Sequence, residues 1–149
     1  MGWNLLYFWL MQNPLNKIAS FQGLGITVVQ DDINSVTLQL PLNGNTNDKG
    51  TMFAGSLYSL MVLSGWKLAM NVSEVAGRPG DVVISEAFVK YLRPVTGDCQ
   101  AVAVLSKEFY VNAFGSGCCE INVVIKNSRG KLCADFNGKY RIVPEKKES

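Results

Sequence analysis

The spacing of apolar positions changes along the chain, and each change marks an element. From Leu5 to Ser20 the pattern reads as a helix, with Asn13-Pro14 as a break or restart inside it. Ile26–Gln30 and Val36–Leu40 are short strand-like runs joined by the polar turn Asp31-Asp32-Ile33-Asn34. Pro41 to Gly50, rich in Asn and Gly, reads as a loop. From Phe53 to Asn71 the only charged residue is Lys67; the rest are mostly apolar or small. A helix that is apolar nearly all round is buried rather than laid on a surface. Thr51 or a neighbour can cap its start, and Asn71-Val72-Ser73 loosens its end.

Beyond Gly80 the pattern alternates with period two. Val83, Ala87, Val89 and Tyr91 share one face of a strand that Arg93-Pro94 ends. Gln100–Lys107 forms another, with Ala101, Ala103 and Leu105 on one side. Cys119, Ile121, Val123 and Ile125 line the next, which turns at Asn127-Ser128-Arg129-Gly130. Leu132, Ala134, Phe136, Gly138, Tyr140 and Ile142 line the last, with Lys139 and Arg141 outward. One long helix among about six strands, the later four a meander of sequence neighbours, excludes a parallel sheet, which needs crossover helices. The expected fold class is α+β: a curved antiparallel sheet wrapped around one long central helix.

Composition narrows the function. The 149 residues make one domain, 1–149, with no linker or repeat. Charged residues are only 17% against 48% hydrophobic, so some apolar surface is expected to lie under another subunit. A net charge of +2 gives no field toward nucleic acid or an anionic membrane. Cys99, Cys118, Cys119 and Cys133 lack metal-ligand spacing, and the chain contains no histidine. They read as reduced core residues of a cytoplasmic protein. The apolar stretch Trp3–Met11 lacks a basic leader and is too short to span a bilayer; it is expected to pack on the domain or a partner.

The run Asn47-Asp48-Lys49-Gly50-Thr51-Met52-Phe53-Ala54-Gly55-Ser56-Leu57 resembles the loop-to-helix signature of hotdog-fold thioesterases. Tyr91-Leu92-Arg93-Pro94 and Ala134-Asp135-Phe136-Asn137-Gly138-Lys139-Tyr140 are similar to two of their strands. Gly50 to Leu57 followed by Leu63-x-Gly65-Trp66 is most similar to the thioesterase-type domain at the C-terminus of YiiD-type acetyltransferases. The resemblance covers about residues 15 to 143.

It implies a hotdog fold and an acyl-CoA or related thioester as ligand, with coenzyme A part of the substrate and no separate cofactor or metal. It also implies a homo-oligomer, a dimer or a tetramer of dimers, with sheets paired edge to edge. The thioester carbonyl would meet the start of the central helix, where unpaired N–H groups and the helix dipole favour negative charge. By position the donors are at Ala54 and Gly55, and Asn47 would orient the carbonyl or water. Phe53, Ser56, Leu57, Tyr58 and Val62 would line the substrate site.

One part is missing. The related enzymes carry an Asp or Glu about two turns into this helix, where this chain has Val62, and a His where it has Phe53. Neither replacement moves a proton. Asp48, Glu74, Asp81, Glu86 and Ser85 are substitutes by number only. Without the signature, Asn47 reads as a turn residue, and Tyr58 and Trp66 as core. Two functions follow from the resemblance: an acyl-CoA thioesterase with a non-standard base, or a non-catalytic acyl-thioester binding module.

Overall fold

The computed structural model describes residues 13–144. A 3-10 turn, Pro14–Lys17, precedes helix α1 (Ala19–Gly23), strands β1 (Thr27–Asp31) and β2 (Val36–Leu40), and the long helix α2 (Ala54–Val75). Strands β3 (Asp81–Tyr91), β4 (Cys99–Leu105), β5 (Tyr110–Val111), β6 (Gly117–Lys126) and β7 (Leu132–Val143) follow. They form one antiparallel sheet in the order β1-β2-β4-β6-β7-β3, with β5 attached to β6. The sheet curves around α2, the α+β arrangement expected from the pattern.

α2 is held by its apolar face and by small residues beneath it. Leu57, Leu60, Met61 and Leu68 are buried against Val36, Leu38, Ile121, Val123 and Phe136. Each such side chain contributes roughly 1.5–3 kcal/mol. Ala101, Ala103, Ala134 and Gly138 keep the sheet surface low enough for the helix to lie on it. Gly65 has a specific reason: a Cβ there would run into the Tyr140 ring, 2.8 Å from Cζ. That close approach lets the Tyr140 hydroxyl donate to the Val62 carbonyl at 2.7 Å. Next door, the Trp66 indole N–H donates to the Val82 carbonyl at 2.9 Å, fixing α2 against the start of β3.

Lys67, the charge in the middle of α2, is buried rather than solvated. Lys67 Nζ lies 3.1 Å from Asp31 Oδ2 and donates to Asn71 Oδ1 at 2.7 Å. The Asn71 amide in turn donates to Asp31 Oδ1 at 2.7 Å and to the Asp32 carbonyl at 3.0 Å. A buried ammonium needs such a partner. The network also explains why α2 continues to Val75 instead of loosening at Asn71: the competing amide is spent on β1.

Three other expectations need correction. The later strands are not a simple meander, because β3 pairs with β7 and not with β4. After Arg93-Pro94 ends β3, the Val95 carbonyl accepts from the Met52 N–H at 2.8 Å, and the chain passes the start of α2 to reach β4 beside β2. A short extra strand, β5, was not anticipated; its hairpin tip is held by Asn112 Oδ1, which accepts from the Phe114 and Ser116 N–H groups, each at 3.0 Å. The N-terminal helix does not continue to Ser20. Asn13 Oδ1 accepts from the Leu15 N–H at 3.1 Å to start a fresh turn, and extended Ile18 separates that turn from α1. Leu5 to Gln12 lie outside the described residues.

β3 is the longer free edge, eleven residues against five in β1. Its exposed apolar side chains include Phe88 (63%) and Tyr91 (48%). No helix among the described residues is long and apolar enough to cross a membrane.

Candidate functional site

The start of α2 is left open by its sequence. The helix begins at Ala54, preceded by extended Phe53, and no side chain caps it. Thr51, expected as a cap, is occupied: its hydroxyl accepts from the Asn47 amide at 2.8 Å. The Ala54 and Gly55 N–H groups meet no acceptor among the described residues. First-turn N–H groups have no intrahelical partner and carry the positive end of the helix dipole. They are free donors at a helix of 22 residues.

Three segments bring this start into a cleft of about 330 Å³, lined by Asn47, Thr51, Ala54, Leu57, Tyr91 and Arg93 among others. Asn47 shapes the loop. Its Oδ1 accepts from the Lys49 and Thr51 N–H groups at 2.9 and 3.1 Å, and Gly50, at φ +78°, closes the turn. This is an Asx-type loop, in which a short amide organises the backbone two and four residues on. Asn47 therefore stands at the wall of the cleft with its carboxamide turned largely to the loop.

The opposite wall is the end of β3. The Tyr91 hydroxyl donates to the Ala54 carbonyl at 3.1 Å, tying the edge strand to the first turn of α2. Burial, and then the nearby Tyr58, hold the Tyr91 phenol above its ordinary pKa, so it stays a protonated donor. The Arg93 guanidinium donates to the Leu132 carbonyl at 2.6 Å. Tyr91 was legible only as part of a strand-ending motif; its role needs the fold that sets that ending beside α2.

The other anticipated residues divide between core and a second helix face. Ser56 and Leu57 are buried, Leu57 reaching the cleft from behind. The Phe53 ring folds back over Gly55, where a Cβ would lie 3.0 Å from its Cζ. Tyr58 meets Phe136 edge-on, ring centroids 6.1 Å apart. Val62 is half-buried. Seven residues separate it from Gly55, two turns or about 10 Å along the same side of the helix. Asn47, Ala54 and Leu57 thus share the cleft, while Tyr58 and Val62 line the flank of α2.

Among the described residues no carboxylate lines the cleft. Asp48 is exposed and 3.2 Å from Lys49, and Glu86 lies 3.8 Å from Lys139. The Ser85 hydroxyl donates to the Lys139 carbonyl at 3.1 Å. Glu74 and Asp81 sit at the far end of α2 and the start of β3. The cysteines supply no nucleophile either: all four are buried and unbonded, and burial pushes the Cys99 and Cys119 thiols up to about 12.

A curved antiparallel sheet around a long helix, with free donors where a loop enters that helix, is the hotdog thioesterase architecture. The family model described as "Putative thioesterase (yiiD_Cterm)" matches residues 10–144, and the chain belongs to that family. Among solved structures it is similar to a putative thioesterase from Shewanella oneidensis, at 28% identity and a TM-score of 0.72, covering 92% of this chain and 93% of that one. A thioesterase from Haemophilus influenzae shares the fold at 17% identity and a TM-score of 0.73, covering 89% and 87%. A probable thioesterase from Pseudomonas aeruginosa does so at 22% and 0.69, covering 88% and 91%.

Proposed function

We propose that the protein is a homo-oligomeric thioester hydrolase acting on an acyl-CoA or acyl-carrier thioester, and that it hydrolyses this substrate slowly. The observation that carries the reading is the uncapped start of α2, where the Ala54 and Gly55 N–H groups are free and Ala54 lines a cleft with no carboxylate among the described residues. The thioester carbonyl oxygen would lie against the Ala54 N–H, with Gly55 beside it, and the charge that grows on it would be stabilised there. Leu57 and Tyr91 border the reacting end. The acyl chain would run along the flank of α2 past Phe53, Tyr58 and Val62, with Ser56 packed behind. Attack would use a water placed by the site, because Val62 stands where a carboxylate would activate it.

Two copies would join through β3, whose long, exposed, partly apolar edge is the kind that proteins pair or cover. The cleft lies at one end of that edge, so pairing would also exclude water from it.

Replacing Val62 by Asp tests the missing base. A well-placed general base contributes about 10²–10⁴-fold, so a gain of at least about tenfold in turnover is expected even from an imperfect position. Some stability will be lost, since a carboxylate in a half-buried apolar setting resists ionisation. A folded Val62→Asp protein with no gain at any pH would favour the second reading, a module that binds thioesters without cleaving them.

A further inference from the structure

The peptide between Ala54 and Gly55 has two ends with different fates. Its carbonyl accepts from the Tyr91 hydroxyl at 3.1 Å, while its N–H, that of Gly55, meets no acceptor among the described residues. A trans peptide is planar, so the two groups point in opposite directions as one rigid unit. Whatever fixes the carbonyl therefore aims the N–H. This matters most in the first turn of a helix, because helix ends fray and no side chain caps this one. Inside the turn, the first acceptor is the Phe53 carbonyl, shared by the Ser56 and Leu57 N–H groups at 3.1 Å each. The Tyr91 hydroxyl adds a hold from outside the helix.

The hydroxyl is carried on a firm mount. Tyr91 pairs with Ala134 of β7, and just past it the Cys133 carbonyl accepts from the Leu92 and Arg93 N–H groups at 2.7 and 3.2 Å. The Arg93 guanidinium adds its bond to the Leu132 carbonyl. The strand end is thus clamped to the sheet where the phenol leaves it. Folding draws little on the contact itself, since Tyr91 is 48% exposed and water readily replaces an exposed hydrogen bond. We infer that Tyr91 is a positioning residue for the thioester reaction: by holding the Ala54 carbonyl it fixes the first turn of α2 and keeps the Ala54 and Gly55 N–H groups aimed at the developing oxyanion. Donors held in place before charge develops need no reorganisation when it does.

The role rests on the oxyanion site proposed above, whereas the bracing of the turn does not, and the two are measured separately. Tyr91→Phe keeps the ring and removes only the hydroxyl. In the 15N-labelled whole protein, the Ala54 and Gly55 amides should show order parameters of about 0.85 in the wild type. In Tyr91→Phe they should fall toward about 0.6, with the amides beyond Leu60 unchanged. Turnover of an acyl-CoA should fall about tenfold in the same variant, less than the 10²–10³-fold that follows outright loss of a donor. KM should change by less than about twofold, because the ground-state carbonyl draws little on these donors. Amides that stay ordered in Tyr91→Phe would overturn the role whatever the turnover. Unchanged turnover in Tyr91→Phe, while Ala54→Pro slows the reaction, would also overturn it and leave the site standing. Unchanged turnover in both variants would mean that the site itself is elsewhere, and the role would fall with it.

Discussion

Replacing Ala54 by proline is expected to lower thioester turnover by about 10²–10³-fold, the usual cost of removing one oxyanion donor. The substitution deletes a single atom group of interest, the Ala54 N–H, and should leave the fold standing. Ala54 is the first residue of α2, where proline is well tolerated because that N–H has no helical partner. Phe53 already has φ −64° and ψ 132°, the extended conformation that a residue before proline adopts. The Ala54 carbonyl, which accepts from Tyr91, is untouched. Substrate affinity should change much less than turnover, because the donor acts most strongly when charge has developed on the oxygen. If Ala54→Pro keeps wild-type turnover, the oxyanion is not bound at this amide.

The largest effect on stability should come from Lys67. Replacing it by methionine keeps most of the apolar stem but leaves Asp31 buried without its cation. Breaking one side of a buried pair costs about 3–5 kcal/mol. Asn71 still donates to Asp31, which points to the lower end of that range. Urea denaturation of Lys67→Met measures it directly. Removing both charges, Lys67→Met with Asp31→Leu, should recover much of the loss, because no uncompensated charge then remains. A single-variant loss under about 1 kcal/mol would mean that water reaches Asp31.

The sheet and the buried helix were legible because their residues obey simple periods. β6 and β7 alternate faithfully, and α2 reads as apolar nearly all round. What could not be read was which strands meet. β3 leaves α2 at the sheet edge beside β7, and that depends on a helix crossing the sheet, a long-range fact with no local mark. Lys67 was visible as the lone charge on an apolar helix, but its partner Asp31 is 36 residues away and looked like part of a polar turn. The candidate site shows the same limit. Ala54 and Gly55 came from the resemblance of the loop-to-helix run, whereas Tyr91 enters only once β3 ends beside that start. Asn47 was identifiable as a residue of the loop, and the structure gives the loop itself as the chief use of its carboxamide.

Release of free thiol from short, medium and long acyl-CoAs by the purified wild-type protein, with binding measured on the same compounds, tests the central claim most directly. The free amides at Ala54 and Gly55 without a carboxylate in the cleft predict saturable binding and turnover below about 1 s⁻¹, the lower end of the ordinary enzymatic range. No binding of any acyl thioester, or turnover well inside roughly 1–10³ s⁻¹, would contradict it.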